Sequence, residues 1–592
     1  MRQQYNLLLL LILASASNAT FGQSTAANEK LYQLFDHYHE ESLKLFPISA
    51  TYQGDNRYND QLPNSATVEY RNSVADFYSK YQRALQQFDR TKLNEQDRIS
   101  YDILMDITSR ELGLSKFHPE YFPITQMYSL SSTVAQLGSG TGAQPFKTVK
   151  DYENWLKRID GFVLWADSAI TNMRKGIKTG YVLPKAAVVK IIPQIESLGQ
   201  RDSSKSVFYG PVRKFPDVIS PEERVRLKNE YHASISSKLV PALQRLKEFF
   251  SAEYLPASRA TSGINALPNG EEMYRFYLYY YTSTKTSPEE VYQTGLKEVK
   301  RIRAEMEKVK QSIGFKGSLN DLFKFMQEDK RFMPFKTEEE VLNAYRSIMV
   351  KIEPHVKNLF GVFPKTPFEI RKTEAFRAGS APPQYVSGST DATRPGIFYV
   401  PIVDATKINT TGWAMEAVFL HEAIPGHHYQ ISLQKENTTL PEFRKHTVNT
   451  AYAEGWALYT ESLGSQLGCY TDPYQKLGAL GTEIHRAIRL VVDAALHTGK
   501  MTREQAIQYM MENESLAEHD VVLEIERYMV MPGQATSYKT GELKIKALRD
   551  KYQKQLGSRF NLREFHDTLL IGGAMPLDAL ERYMDAWAAR QK

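Results

Sequence analysis

Four side chains able to bind a metal or move a proton fall within eight residues: His421, Glu422, His427 and His428. Only 13 His occur in all 592 residues, so their clustering is informative. Imidazole and carboxylate are ligands that zinc takes, and a carboxylate beside the metal is a base for hydrolysis. The common arrangement is H-E-x-x-H on one helix, with two His at i and i+4 sharing a face. Here position i+4 is Pro425. On a straight helix, at about 100° per residue, His427 points roughly 120° away from His421. His428 returns to the same face but roughly 10 Å further along the axis. Neither then shares a metal with His421 at metal–nitrogen distances of about 2.0–2.1 Å. Pro425-Gly426 changes this, because proline breaks the hydrogen-bond ladder and glycine tolerates unusual dihedrals. A kink, bulge or short 3₁₀ or π turn there brings His427 back towards His421. The alternative is a helix that ends at Pro-Gly, with two incidental histidines.

A zinc site with two His needs a third ligand and an open position. Glu454, in Ala451-Tyr-Ala-Glu-Gly-Trp-Ala-Leu-Tyr-Thr-Glu461, follows His421 by 33 residues, enough for a turn and an antiparallel return. Its setting is apolar, where an unpaired carboxylate is expensive and a metal removes the cost. Glu461, two helical turns later, is either the alternate ligand or a partner that orients a ligating His. Both Glu could also be ordinary polar positions.

The elements that must position these groups are mainly helices. Apolar residues at helical spacing mark 29–46, 68–88, 97–112, 152–178, 185–198 and 221–254. Pro193 is expected to kink or split the fifth of these. Residues 258–270 are a Pro/Gly/Ser-containing break. Ser287-Pro-Glu-Glu290 and Thr337-Glu-Glu-Glu340 read as capping boxes. Short β-like runs occur at Phe368-Glu-Ile-Arg-Lys, Gln384-Tyr-Val-Ser and Gly396-Ile-Phe-Tyr-Val, and helix resumes from Trp413. The fold class is therefore mainly α: a large two-lobed helical chain with a small β-sheet beside the His421 helix. The division expected is a signal peptide at 1–23, an N-terminal helical lobe at 24–270 and a metal-binding lobe at 271–592, packed around a cleft.

Five separated elements, taken in order, resemble a bacterial family labelled as a domain of unknown function and placed by similarity with the gluzincin metallopeptidases. They are Arg394-Pro-Gly-Ile-Phe-Tyr, His421-Glu-x-x-Pro-Gly-His427, Glu454-Gly-Trp-Ala, Arg489-Leu-Val-Val-Asp-Ala-Ala-Leu-His497, and Arg527-Tyr528 with Pro532-Gly-Gln-Ala and Tyr538-x-x-Gly541. The resemblance implies a zinc peptidase binding one Zn2+ through His421, His427 and Glu454, with Glu422 as base. His428 and Glu461 stay as alternate ligands. Tyr528, Tyr538 and His497 are candidate donors to an oxyanion. Arg394 and Arg527 are candidates for holding a substrate carboxylate. The Gly396–Val400 strand, with Tyr399, is a candidate edge for pairing with an extended peptide substrate. Competing readings are a zinc hydrolase of a non-peptide amide or ester and a non-catalytic binding protein. Glu422 argues against the last, since a binding site needs no base beside its ligand.

Composition is that of an ordinary globular chain, 24% charged and 42% hydrophobic. The net charge of +6 includes no basic cluster dense enough for nucleic acid. Arg2, the apolar run Leu7 to Ala14 and Ser17-Asn18-Ala19 read as a cleaved secretory signal, so a periplasmic or secreted location is expected. That run is too short to span a membrane, and no stable membrane anchor is expected. The single cysteine, Cys469, excludes intrachain disulfides and reads as a buried small hydrophobe.

Overall fold

The computed structural model describes residues 28–374, 378, 382–388, 394–412 and 414–591. The signal segment (residues 1–23) and Trp413 lie outside them. The fold is mainly α with one three-stranded sheet, the class that the periodicity predicts. Among the described residues, no helix is long and apolar enough to cross a membrane.

Local sequence signals set many helix ends. Ser287 opens Pro288–Ser312 and Thr337 opens Glu338–Leu359, each through a capping box closed by Glu290 or Glu340. Lys185–Leu198 is not split at Pro193. The buried residues Ala187, Val188, Ile191 and Ile195 continue on both sides of the proline, so packing carries the helix across the lost hydrogen bond. The 221–254 run is also continuous. Its segments Pro221–Ser234 and Val240–Phe249 are joined by a π-helical stretch, Ile235–Leu239, just before Pro241.

Apolar packing crosses the break at 258–270. Leu31, Phe35, Tyr81 and Leu104 share one core with Phe398, Phe419, Leu420 and Trp456. A second core, around Trp155, Phe162 and Tyr231, is built from residues 66–254 with Val530. A third joins Pro288–Ser312 to Pro473–His497 through Ile302, Ile488 and Val492.

The sheet comprises β1 (Phe368–Lys372), β2 (Gln384–Val386) and β3 (Gly396–Val400), in the order β1-β3-β2. β3 runs parallel to β1, with Phe368 opposite Gly396, and antiparallel to β2, with Tyr385 opposite Phe398. β3 is thus the central strand and both its edges are filled. This corrects the expectation that Gly396–Val400 offers an edge to a peptide.

Candidate metal centre

The helix carrying His421 spans Met415–Glu422 and stops there. A cis Ile424–Pro425 peptide lies in the break, and a new helix, His427–Glu436, starts directly after Gly426. Any Cβ at position 426 would lie 1.8 Å from the His421 carbonyl oxygen, so only glycine lets the chain pass this close. The Glu454 helix, Thr450–Ser462, holds both sides of the break. Trp456 Nε1 donates to the Pro425 carbonyl at 2.9 Å, and Thr460 Oγ1 donates to the Leu420 carbonyl at 2.9 Å. The reversal sets the His421 and His427 rings edge to face, with centroids 4.9 Å apart.

Glu454 completes the group. Its Oε2 lies 3.6 Å from His421 Nε2 and 3.5 Å from His427 Nε2. Among the described residues, this trio is the one set of three or more His, Cys, Asp or Glu whose ligand atoms converge, all within 4.8 Å. Tetrahedral coordination at about 2.0–2.1 Å places ligand atoms about 3.3–3.4 Å apart. The two His–Glu454 separations are close to that, and two imidazoles with one carboxylate form a donor set suited to zinc. Among the described residues, His427 Nδ1 is buried without a hydrogen-bond partner. The electrostatics also call for a cation. Burial opposes charge on His421, but hydrogen bonds to Glu454 and Glu461 outweigh it and push its pKa up to about 9. Burial likewise opposes charge on Glu454, but the two imidazoles hold it well below the usual carboxylate range.

Glu461 lies on the other side of His421. Its Oε1 is 2.8 Å from His421 Nδ1, and its Oε2 accepts from Thr482 Oγ1 at 2.5 Å. It therefore orients His421 rather than joining the converging atoms. His428 points away from the group. Its Nδ1 lies 3.0 Å from the Tyr385 hydroxyl, its ring packs 4.8 Å from Phe368, and burial pulls its pKa down to about 4.

Glu422 Oε2 accepts the backbone N–H of Tyr385 at 2.8 Å. That N–H is on the side of β2 away from β3, so the sheet positions the candidate base. Tyr399 belongs to β3, opposite Arg371 and Gln384. Arg394 precedes that strand, and its charge adds to burial in lowering the Lys435 pKa.

The downstream elements divide into holding and facing groups. His497 is buried and uses both ring nitrogens: Nδ1 accepts the Ile264 N–H at 3.2 Å and Nε2 donates to the Tyr528 carbonyl at 3.0 Å. Burial pulls its pKa down to about 3. It ties the 258–270 segment to the Tyr528 helix, and both ring nitrogens are committed to backbone partners, which corrects its expected role as a donor to an oxyanion. Asp493 accepts from the Tyr274 hydroxyl at 2.7 Å and from the Gly533 N–H at 3.0 Å, and so fixes the Pro-Gly-Gln-Ala turn. Tyr528 is also corrected as an oxyanion donor. Its hydroxyl is buried, donating to Glu524 at 2.5 Å and accepting from Arg489 at 2.9 Å. Arg527 is occupied by Glu524 at 3.2 Å and Gln534 at 2.6 Å, so its free-carboxylate role is not what the structure displays.

Tyr538 differs. Its ring lies under the Arg489 guanidinium, 4.7 Å from the centroid, and its hydroxyl makes no hydrogen bond among the described residues. One turn later, Gly541 meets the Glu454 helix backbone to backbone. A Cβ on Gly541 would lie 1.8 Å from the Ala451 carbonyl oxygen, and one on Gly455 would lie 2.4 Å from Gly541 Cα. The Glu-Gly-Trp-Ala and Tyr-x-x-Gly elements are thereby one packed unit. Tyr385 and Thr482 received no role from sequence, because a backbone donor on a strand and a single hydroxyl carry no spacing signal.

No curated protein matches the chain. A crystal structure described as "the putative lipoprotein from Colwellia psychrerythraea" is 28% identical, covers 95% of this chain and 99% of its own, and superposes with a TM-score of 0.89. A second, "a putative lipoprotein of unknown function from Shewanella oneidensis", is 20% identical, covers 94% and 100%, and has a TM-score of 0.75, a likeness of fold. A family profile matches residues 47–584. The chain belongs to the family of bacterial proteins of unknown function designated DUF885.

Proposed function

We propose that this chain is an exported zinc-dependent peptidase that hydrolyses oligopeptides. The observation that carries the reading is the convergence of His421, His427 and Glu454 with the Glu422 carboxylate on the adjacent residue. A zinc ion held by that trio supplies a Lewis acid that acidifies water and polarises a carbonyl. Glu422 takes the proton from the attacking water and delivers it to the leaving amine. The Tyr385 N–H fixes one of its oxygens and leaves the other for the proton. Glu461 accepts the His421 Nδ1–H, which selects the tautomer that presents Nε2 to the donor group. The Tyr538 hydroxyl is the donor available to a developing oxyanion.

Export is part of the proposal and rests on Arg2, Leu7 to Ala14 and Ser17-Asn18-Ala19. The description of both structural neighbours as lipoproteins supports an exported family. The test is a mixed peptide library digested with and without chelator and analysed by mass spectrometry. Cleavage that chelator abolishes and zinc restores is the expected result. No cleavage by the zinc-loaded protein, or cleavage indifferent to chelator, overturns the reading.

A further inference from the structure

A cavity of about 790 Å³ lies among the first helices, the 111–133 segment and Trp165. Small-molecule sites span roughly 300–1,000 Å³ and are mainly apolar. Tyr70, Tyr78, Tyr128 and Trp165 give this one an aromatic wall. Its charged lining groups are Arg71, Glu120 and Glu111, two acids against one base. Arg71 Nη1 is held by the Ala66 carbonyl at 2.7 Å, and Glu120 lies 3.3 Å from His118 Nδ1.

Glu111 is different. Its Oε1 accepts from the Tyr280 hydroxyl at 2.9 Å, and it forms no ion pair among the described residues. Its neighbour Arg110 is committed to Asp106 at 2.7 Å and to the Tyr280 carbonyl at 3.2 Å. Burial pushes the Glu111 pKa up, and the Tyr280 hydrogen bond and the nearby Arg110 charge offset this only in part, so the site still disfavours the bare carboxylate. A carboxylate among aromatic rings is costly without a cation, while a cation over aromatic faces is attracted to them. Both effects favour one kind of occupant.

We propose that this cavity binds an organic ammonium ion with an apolar body. Its ammonium group pairs with Glu111, and its body packs against Tyr70, Tyr78, Tyr128 and Trp165. None of His421, His427 or Glu454 lines the cavity, so the proposal stands apart from the hydrolytic reading.

The test uses isothermal titration of the full chain with three probes of one shape: 2-phenylethylammonium, neutral 2-phenylethanol and anionic phenylacetate. The ammonium is expected to bind at least tenfold more tightly than either other probe. Glu111→Gln should reduce ammonium binding at least tenfold with an unchanged melting temperature. The comparison of probes on the unaltered chain needs no variant and stands if Glu111→Gln fails to fold. Absence of ammonium binding, equal binding of the alcohol, or undiminished binding to folded Glu111→Gln overturns the proposal. So does ammonium binding that chelator abolishes, which places the amine at the metal centre.

Discussion

Glu461→Gln removes a negative charge 2.8 Å from His421 Nδ1 but keeps an oxygen able to accept that N–H. The amide also retains an acceptor or donor for Thr482, so the imidazole should keep its orientation. What changes is the basicity of His421 as a ligand. Loss of such an outer partner typically costs about 10–100-fold in metal affinity, or about 1.4–2.7 kcal/mol. Glu454→Gln acts on the converging atoms themselves, whose separations from the two imidazoles are 3.5 and 3.6 Å. Its loss should exceed about 100-fold, beyond the range for an outer partner. The assay is competitive zinc titration against a chelating dye, with circular dichroism to confirm folding. Equal losses for the two variants, or a larger loss for Glu461→Gln, refute the assignment of Glu454 to the metal and Glu461 to the imidazole.

Further outcomes follow from the same geometry. Tyr538→Phe should lower kcat about 100-fold with zinc content unchanged, the effect of removing one oxyanion donor; unchanged kcat by steady-state kinetics removes Tyr538 from the mechanism. Gly541→Ala forces a Cβ to within 1.8 Å of the Ala451 carbonyl and should cost about 3 kcal/mol, the upper end for overpacking; a melting curve like that of the parent contradicts this. His497 falls from its ordinary 6.5 to about 3 in the fold. The unfolded chain therefore binds a proton that the native one refuses between those values, and stability is lost as pH falls through that window. His497→Gln should flatten the decline by about one proton, about 1.4 kcal/mol per pH unit, measured by denaturant titration across pH; an identical slope refutes the buried neutral His497.

Much of this was legible because the signals are local. The capping boxes at Ser287 and Thr337 name their partners three residues away. His421, Glu422 and His427 declare themselves within seven residues, and the helical stripe flanking Glu454 marks it as an acid in an apolar setting. What escaped depends on distant partners. β3 became central because β1 pairs with it in parallel on one edge and β2 antiparallel on the other, a topology that strand composition does not encode. His497 and Tyr528 carry catalytic atom types, but Ile264, Glu524 and Arg489 consume their hydrogen-bonding capacity. His427 and His428 could not be separated by sequence. Phe368 and Tyr385, more than 40 residues upstream, capture His428, while the break at Pro425-Gly426 turns His427 to Glu454.

The central claim is that Glu422 is the base beside a zinc ion bound by its neighbours. Its most direct test is Glu422→Gln, with zinc content and hydrolysis of a peptide cleaved by the parent measured on the same preparation. About one zinc per chain is expected in both proteins, with at least a 100-fold loss of hydrolysis in the variant, the lower range for a catalytic proton-transfer group. Parent-like hydrolysis by the zinc-loaded variant, or a folded parent that binds no zinc, contradicts it.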